Sequence, residues 1–161
     1  MVSIDQLKGY KFFKGFTDEE LKKVADVATE ESYKAGLQLW RKGDQANKAY
    51  FLEEGKVLLV MDTYMGPQGP PMQVTVDIVT KGEGMGWSSV VEPYLYTLGA
   101  RCIDDSKVIA IDAVKLREIF DEDKALGFKF MHATAKVVAT RLTHTEIILV
   151  GERGLSILSE E

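Results

Sequence analysis

Residues 49–57 read AYFLEEGKV, two strand-like runs of β-branched and aromatic residues separated by Gly55. Similar runs follow one another between residue 31 and residue 113, and glycines interrupt them at short intervals. Short, closely spaced strands divided by turn residues are typical of an antiparallel barrel or sandwich. The central part of the chain is therefore predicted to be a small β structure.

On the N-terminal side of this region the sequence predicts a helical cap. Thr17 and Glu20 have the spacing of a capping box, and apolar residues follow at helical intervals, which predicts a helix from about Asp18 to Ala28. The leader before it carries four large apolar residues, too many for a solvated tail, so it is expected to dock on the core. Residues 1–29 form this cap and residues 30–113 the β structure.

On the C-terminal side the pattern becomes helical, first at residues 114–120 and then from about Asp123 to Val150. Gly151 is a plausible residue for the end of this helix, which leaves residues 151–161 as a tail. The apolar stripe is wide, and a helix of about 28 residues is about 40 Å long. We expect a homodimer through this helix, with Phe130 and Val137 nearest the contact; the alternative is a helix lying across its own barrel.

The composition indicates one soluble domain of 161 residues with a formal net charge of −5. No cluster of basic residues offers a footprint for phosphates, so nucleic acid is not expected as a partner. The single Cys102 and a polar N-terminus favour the reducing cytoplasm, because neither an internal disulfide nor a signal region is present. The apolar runs are too short to span a membrane.

The order of cap, β structure, short helix and long helix resembles the cyclic-nucleotide-binding domain of the catabolite-activator and fumarate-nitrate-regulator superfamily. Residues 39–44 and 49–57 are similar to the family's paired strands around two structural glycines, and the similarity covers most of residues 7–150. The resemblance implies an α+β fold. Its centre would be an antiparallel β-roll, a jelly-roll-like double-stranded β-helix, in one domain spanning residues 1–161.

Residues 81–89, KGEGMGWSS, stand where the family keeps its phosphate-binding cassette. Glycines allow the backbone to approach an anion, and the amides that begin a short helix carry a partial positive charge. The ligand-binding residues predicted from the cassette, from the segment after it and from the long helix are Gly84, Gly86, Trp87, Ser88, Ser89, Tyr96, Thr97 and Thr145. The ligand would be a cyclic nucleotide or another small anion.

Two residues depart from the family pattern. Trp87 replaces the glutamate that accepts a hydrogen bond from the ribose, and Tyr96 replaces the arginine that pairs with the cyclic phosphate. Arg101, the only cation nearby, is expected on the surface because strand alternation places it opposite to Ala100 and Cys102. Trp87, Tyr94 and Tyr96 would line the pocket with aromatic rings, or Trp87 would fill it as core.

No catalytic constellation is found in the sequence. A cupin-like metal site needs histidines on the strands, whereas His132 and His144 both fall on the long helix, and Ser88 and Cys102 have no histidine nearby in sequence. The residues after the long helix are too few for a helix-turn-helix DNA reader, so output is expected to pass through a partner protein, a dimer or sequestration of the ligand. The prediction is a non-enzymatic sensor for signal transduction; the alternatives are a ligand-free scaffold and, less favoured, an enzyme on the same barrel.

Overall fold

The computed structural model describes residues 1–64 and 66–159. The N-terminal cap consists of α1 (Ile4–Lys8), a 3₁₀ helix (Lys11–Phe13) and α2 (Asp18–Asp26). The Thr17 hydroxyl accepts a hydrogen bond from the Glu20 amide at 3.2 Å, and the Glu20 carboxylate accepts one from the Thr17 amide at 2.8 Å, as the capping box predicts. The helix ends two residues before the predicted Ala28, because Ala28 pairs with Ile111 in the first strand.

In the residues that the structure describes, eight strands form two antiparallel sheets that make up the β-roll. Their bounds are β1 Ala28–Tyr33, β2 Gln38–Trp40, β3 Lys48–Glu54, β4 Val57–Tyr64, β5 Pro71–Val79, β6 Gly84–Met85, β7 Gly99–Cys102 and β8 Ser106–Asp112. One sheet has the order β1-β8-β3-β6 and the other β2-β7-β4-β5. The predicted antiparallel roll with its helical cap is confirmed.

Gly55 joins β3 to β4 in a turn that only glycine can occupy. Its φ of +95° lies in the left-handed region, where a side chain is strained. A Cβ atom here would also lie 2.3 Å from the Ser106 hydroxyl and 2.6 Å from the Asp105 carbonyl. The glycine that separates the two runs in the sequence is therefore required by backbone conformation and by close packing.

Two apolar clusters hold the domain together. The first lies between the cap, the outer side of the roll and the C-terminal helices, and it includes Phe13, Phe51 and Phe130. The second fills the inside of the roll around Trp40 and Tyr96. Because the first cluster joins residues from Val2 to Phe130, the cap and the first part of the C-terminal helices form one domain with the roll.

Two helices follow the roll, α3 (Ala113–Glu122) and α4 (Lys124–Ser159). The prediction of a non-helical tail at 151–161 is wrong, since α4 continues to Ser159; Glu160 and Glu161 lie outside the described residues. One glycine inside a helix costs only about 1 kcal/mol, and Gly151 is followed by the good helix formers Glu152 and Arg153. Within the described part of the chain, no helix has the length and apolar character needed to cross a bilayer.

The first half of α4 packs on its own domain and the second half projects from it. Phe130 is only 2% exposed and lies in the first apolar cluster, so the expectation that it is nearest a dimer contact is wrong. Its ring meets Phe12, Phe13 and Phe120 of the same chain at centroid distances of 4.8, 6.2 and 5.2 Å. From Leu142 to Gly154 every residue is exposed.

Candidate functional site

The cassette turn, residues 84–89, is held in place by the sheet that contains β3. Strand β6 pairs with β3 through Met85 and Tyr50 and through Gly84 and Phe51. Gly86 then takes a left-handed conformation with φ 80° and begins a 3₁₀ helix (Trp87–Val90). A Cβ atom on Gly86 would lie 3.1 Å from the Lys48 carbonyl, so the close approach of turn and strand depends on glycine.

The two serines of the cassette turn are buried. The Ser89 hydroxyl donates to the Gly86 carbonyl at 2.7 Å, and the Ser89 amide donates to the same oxygen at 3.1 Å. Ser88 is 4% exposed. The turn is therefore closed on itself at Ser89, whose hydroxyl proton is already used within the turn.

Three aromatic rings occupy the inside of the roll beside this turn. Trp40 stacks on Tyr96 with a centroid distance of 4.3 Å and on Tyr50 with one of 5.2 Å. The Tyr96 hydroxyl donates to the Lys48 carbonyl at 2.7 Å, and the Trp40 indole donates to the Leu98 carbonyl at 2.8 Å. We call Trp40, Tyr50 and Tyr96 the aromatic stack; its position inside the roll is fixed by packing and by hydrogen bonds.

Electrostatically, the aromatic stack is neutral. Burial raises the pKa of the Tyr96 hydroxyl to about 12 and also raises the pKa of Tyr50 above its ordinary value. Both hydroxyls keep their protons near neutral pH. The aromatic stack therefore offers dipoles and ring surfaces, and no charge of its own, to a ligand.

The structure does not bring Trp87, Tyr94 and Tyr96 together into one pocket, so that prediction is wrong. The Trp87 side chain lines a small cavity of about 20 Å³ on the outer side of the roll, together with Phe12 and Phe130. Tyr94 lies under the Arg117 guanidinium at 3.9 Å, in the region of α3. The backbone between Trp87 and Tyr96 turns, which directs the three rings into different environments.

The remaining predicted site residues fall into two groups. Gly84, Gly86, Ser88 and Ser89 lie together in the cassette turn, and the Tyr96 ring packs against it, 3.5 Å from the position of a Cβ on Gly86. Thr97 is exposed, and Thr145 is exposed on α4 with its hydroxyl donating to the Arg141 carbonyl of its own helix. Ala100 and Cys102 are fully buried as expected, and Arg101 between them is half-buried, so it is less exposed than the predicted surface position.

Sequence reasoning missed the residue that joins the cassette turn to α4. Arg141 donates to the Gly84 carbonyl at 2.6 Å and pairs with the Asp77 carboxylate of β5 at 3.2 Å. The side chains of Arg141 and Asp77 are only 13% and 16% exposed, so solvent screens the pair weakly. In the sequence, Arg141 falls in the same helical repeat as the apolar residues of the long helix, but no local signal distinguishes it from a solvated arginine.

The histidines lie away from the inside of the roll. His144 is on α4 with its Nδ1 atom 3.4 Å from the Asp77 carboxylate, and the His132 ring stacks on Phe128 of the same helix. Cys102 is buried in β7, where burial raises the pKa of its thiol. A buried thiol with a raised pKa is a poor nucleophile, so Cys102 is a structural residue of the roll.

Comparison with known proteins agrees with this architecture. The sequence profile of the cyclic nucleotide-binding domain matches residues 30–123, and the chain belongs to this family. A protein of known structure from Geobacter metallireducens, assigned to the cyclic nucleotide-binding proteins, is 33% identical with a TM-score of 0.76. The match covers 88% of this chain and 99% of the Geobacter chain.

More distant structures share the fold. A cyclic nucleotide-binding domain from Methylobacillus flagellatus is 15% identical with a TM-score of 0.75, covering 92% of this chain and 81% of its own. The catabolite activator protein of Thermus thermophilus is 20% identical with a TM-score of 0.63; the match covers 92% of this chain and 62% of the activator. No curated protein matches the sequence. Proteins of this family are typically regulatory, and the fold agrees with a regulatory ligand-binding domain.

Proposed function

We propose that this chain is a non-catalytic regulatory domain that binds a small ligand at the cassette turn and transmits the bound state to α4. The observation that carries the proposal is the Arg141 guanidinium, which bonds the Gly84 carbonyl of the turn and the Asp77 carboxylate beside it. A ligand that draws the turn toward itself changes the position of the Gly84 carbonyl. Arg141 then converts this movement into a change in how α4 packs.

The Arg141 contact is a strong candidate for such coupling because its side chains are largely shielded from solvent and one guanidinium bonds two partners. Loss of the guanidinium would leave the Asp77 carboxylate, 16% exposed, with only His144 and the Ile78 amide as partners among the described residues, and the Gly84 carbonyl without its donor. A buried group that loses its partner costs about 1–3 kcal/mol, and more when it is charged. The position of α4 and the geometry of the turn are thus linked energetically, as coupling between two sites requires.

Replacing Arg141 with methionine is expected to lower the free energy of unfolding by about 2–3 kcal/mol, since it removes the guanidinium from Asp77 and the donor from the Gly84 carbonyl. It should also speed hydrogen exchange in α4 near residue 141 and in residues 82–89, both measured by mass spectrometry. Arg153→Met provides the matched control, because Arg153 is exposed on the projecting part of the same helix. Equal exchange rates in Arg141→Met and the unmodified protein would contradict the coupling.

The proposed function itself is tested with a panel of cyclic mononucleotides, cyclic dinucleotides and small organic anions in thermal-shift measurements. A true ligand at about a hundred times its dissociation constant stabilises the folded state by about 2.7 kcal/mol. It should also alter hydrogen exchange in α4, and Arg141→Met should remove that remote effect while leaving protection of the turn. Ligand binding that protects the turn without any change in α4 would refute the transmission.

One observation favours a second candidate function, a scaffold that binds proteins and no small ligand. The aromatic stack fills the inside of the roll, and the Tyr96 ring packs directly against the cassette turn. The regulatory domain of Toxoplasma gondii PKA, a structural relative at 20% identity, was crystallised with cAMP; here aromatic rings take up the space beside the turn. A panel without any stabilising ligand would favour the scaffold.

A homodimer through the projecting half of α4 is the form in which we propose that the domain works. Five large apolar side chains there are 49–71% exposed: Leu142, Ile147, Ile148, Leu149 and Val150. Apolar side chains so close together are normally covered by a partner surface. Cytoplasmic location and the absence of DNA binding stay predictions from Cys102 and the acidic charge.

Sedimentation at micromolar concentration is expected to give a dimer for the unmodified protein and a monomer for the double variant Ile147→Glu, Val150→Glu. Glutamate on the projecting helix cannot be buried against a second copy without a large desolvation cost. Lys56→Glu on the roll serves as the control and should remain dimeric. A monomeric unmodified protein would rule out this assembly.

A further inference from the structure

A long groove lies beside α4, separate from the inside of the roll. It has a volume of about 790 Å³ and runs between α4, the cap and the turn that joins β5 to β6. On α4 its wall extends from Phe128 to His144, about 24 Å at a rise of about 1.5 Å per residue. The half-buried side chains of Phe12, Phe16 and Val137 give it an apolar floor.

Positive side chains surround this apolar floor. Lys11, Lys14 and Lys136 line the groove, all three are exposed, and none forms an ion pair with another described residue. Of the two described carboxylates at the groove, Asp77 pairs with Arg141, whereas Glu83 accepts a hydrogen bond from the neutral Thr80 and keeps its charge. The three lysines outweigh this one carboxylate, so the net free charge along the groove is cationic.

The wall that α4 contributes repeats with the spacing of helix packing. Groove residues occur in adjacent pairs four residues apart, beginning with Phe128 and Lys129 and ending with Thr140 and Arg141, and His144 extends the row. Positions separated by four residues form one ridge of a helix, into whose neighbouring groove a second helix can pack. A shape of this length and regularity fits a helix lying alongside α4 better than a compact small molecule.

We infer that this groove is the docking site for an acidic amphipathic helix of a partner protein. Apolar side chains of that helix would lie on Phe12, Phe16 and Val137, and its carboxylates would meet Lys14 and Lys136. Complementary charge at the edge of an apolar contact sets specificity and association rate. The groove borders the cassette turn at Gly84 and shares Arg141 with the proposed coupling, but its apolar floor and its three lysines lie outside the turn. Docking of a helix on these residues therefore does not require the ligand proposed above.

A second copy of this chain is a poor occupant because of its charge. In a symmetric pairing of two α4 helices across this groove, residues 124–145 of each copy would face each other, and they contain no aspartate or glutamate. They carry Lys129, Lys136 and Arg141, which would be brought against the lysines of the groove. Like charges placed together in an interface favour a different partner. Dimerisation through residues 142–150 would overlap the groove only at His144 and would leave its wall from Phe128 to Arg141 open to the partner helix.

The test uses a synthetic helical peptide of about 18 residues, with leucine along one face and glutamate on the other, labelled for fluorescence anisotropy. Binding to the full chain is expected at micromolar concentrations, and it should weaken as salt screens the lysines. A peptide with lysine in place of each glutamate and a scrambled peptide of the same composition should not bind. Equal binding of the lysine peptide would overturn the proposal.

Two protein variants locate the peptide. Lys14→Glu combined with Lys136→Glu reverses two charges at the groove and is expected to weaken binding about tenfold or more. Lys42→Glu makes the same kind of change at an exposed lysine between β2 and β3, outside the groove, and should leave binding unchanged. Unchanged affinity in the double variant refutes the site. Conversion of a sedimenting dimer to monomer by the double variant would assign the groove to a second copy and refute the partner helix.

Discussion

Replacing Phe130 with alanine is expected to lower the free energy of unfolding by about 3–5 kcal/mol, the range for large-to-small changes at buried aromatic residues. Phe130 is 2% exposed and meets the rings of Phe12, Phe13 and Phe120. Its removal would enlarge the 20 Å³ cavity that it already lines. Because these rings come from the cap and from α3, the loss would weaken the attachment of α4 to both.

Urea denaturation followed by circular dichroism measures this effect, and Phe128→Ala is the matched control. Phe128 lies two residues away on the same helix but is 72% exposed, so its truncation should change stability by less than about 0.5 kcal/mol. Similar losses for the two variants would contradict the packing described here. If the loss of unfolding free energy in Phe130→Ala depends on protein concentration, Phe130 belongs to a dimer contact after all.

The order of elements could be predicted because its signals are local. The capping box at Thr17, the glycines between strands and the apolar rhythm of α4 each act within a few residues of the chain. Gly55 shows why such signals are reliable: its left-handed φ excludes other residues regardless of the rest of the fold. The roll, the cap and the long helix follow from signals of this kind.

The placement of side chains in the site could not be predicted in the same way. Trp40, Tyr50 and Tyr96 come from distant segments, and only tertiary packing brings their rings together inside the roll. The same limit applies to Arg141, whose partners Asp77 and Gly84 lie far away in sequence. Trp87, Tyr94 and Tyr96 lie close together in sequence, which suggests a single aromatic pocket. The backbone turns between Trp87 and Tyr96 and directs these rings into different environments.

The end of α4 illustrates a third kind of difference. Gly151 is a good helix-ending residue by its conformational freedom, but ending a helix also requires that the next residues leave it. Glu152 and Arg153 prefer the helix, so the cost of one glycine is overcome. The helix that projects from the domain is consequently longer than predicted, and it offers more surface to a second copy.

The unmodified protein is expected to bind cyclic AMP and cyclic GMP two to four powers of ten more weakly than a site with the family's full set of charged residues. The cyclic phosphate must leave water, and an arginine partner is one of the stronger compensations for that cost. Tyr96 stands where the resemblance implies that arginine, and its hydroxyl, with a pKa near 12, is neutral and already bonded to the Lys48 carbonyl. Loss of the arginine and of the glutamate each removes about 1.5–3 kcal/mol.

Packing adds to this electrostatic deficit. The Tyr96 ring lies against Gly86 of the cassette turn and stacks on Trp40, so the face of the turn toward the roll is covered. A nucleotide would have to displace the ring and break its hydrogen bond to Lys48 before reaching the amides. The Trp87 side chain, on the outer side of the roll, provides no acceptor for a ribose hydroxyl in place of the family's glutamate.

Calorimetric titration to about 1 mM of each nucleotide should therefore show no binding tighter than about 0.1 mM, because a loss of about 3–6 kcal/mol moves a Kd of about 1 µM to about 0.1–10 mM. The double variant Trp87→Glu, Tyr96→Arg restores both charged residues, and Tyr96→Phe is the control that keeps the ring and adds no charge. Binding by the double variant alone would support a diverged ligand site. If neither the double variant nor Tyr96→Phe binds a nucleotide, and thermal denaturation shows that both are folded, the scaffold is favoured. Micromolar binding by the unmodified protein would show that the cassette amides suffice without the arginine, and that the Tyr96 ring moves aside at little cost.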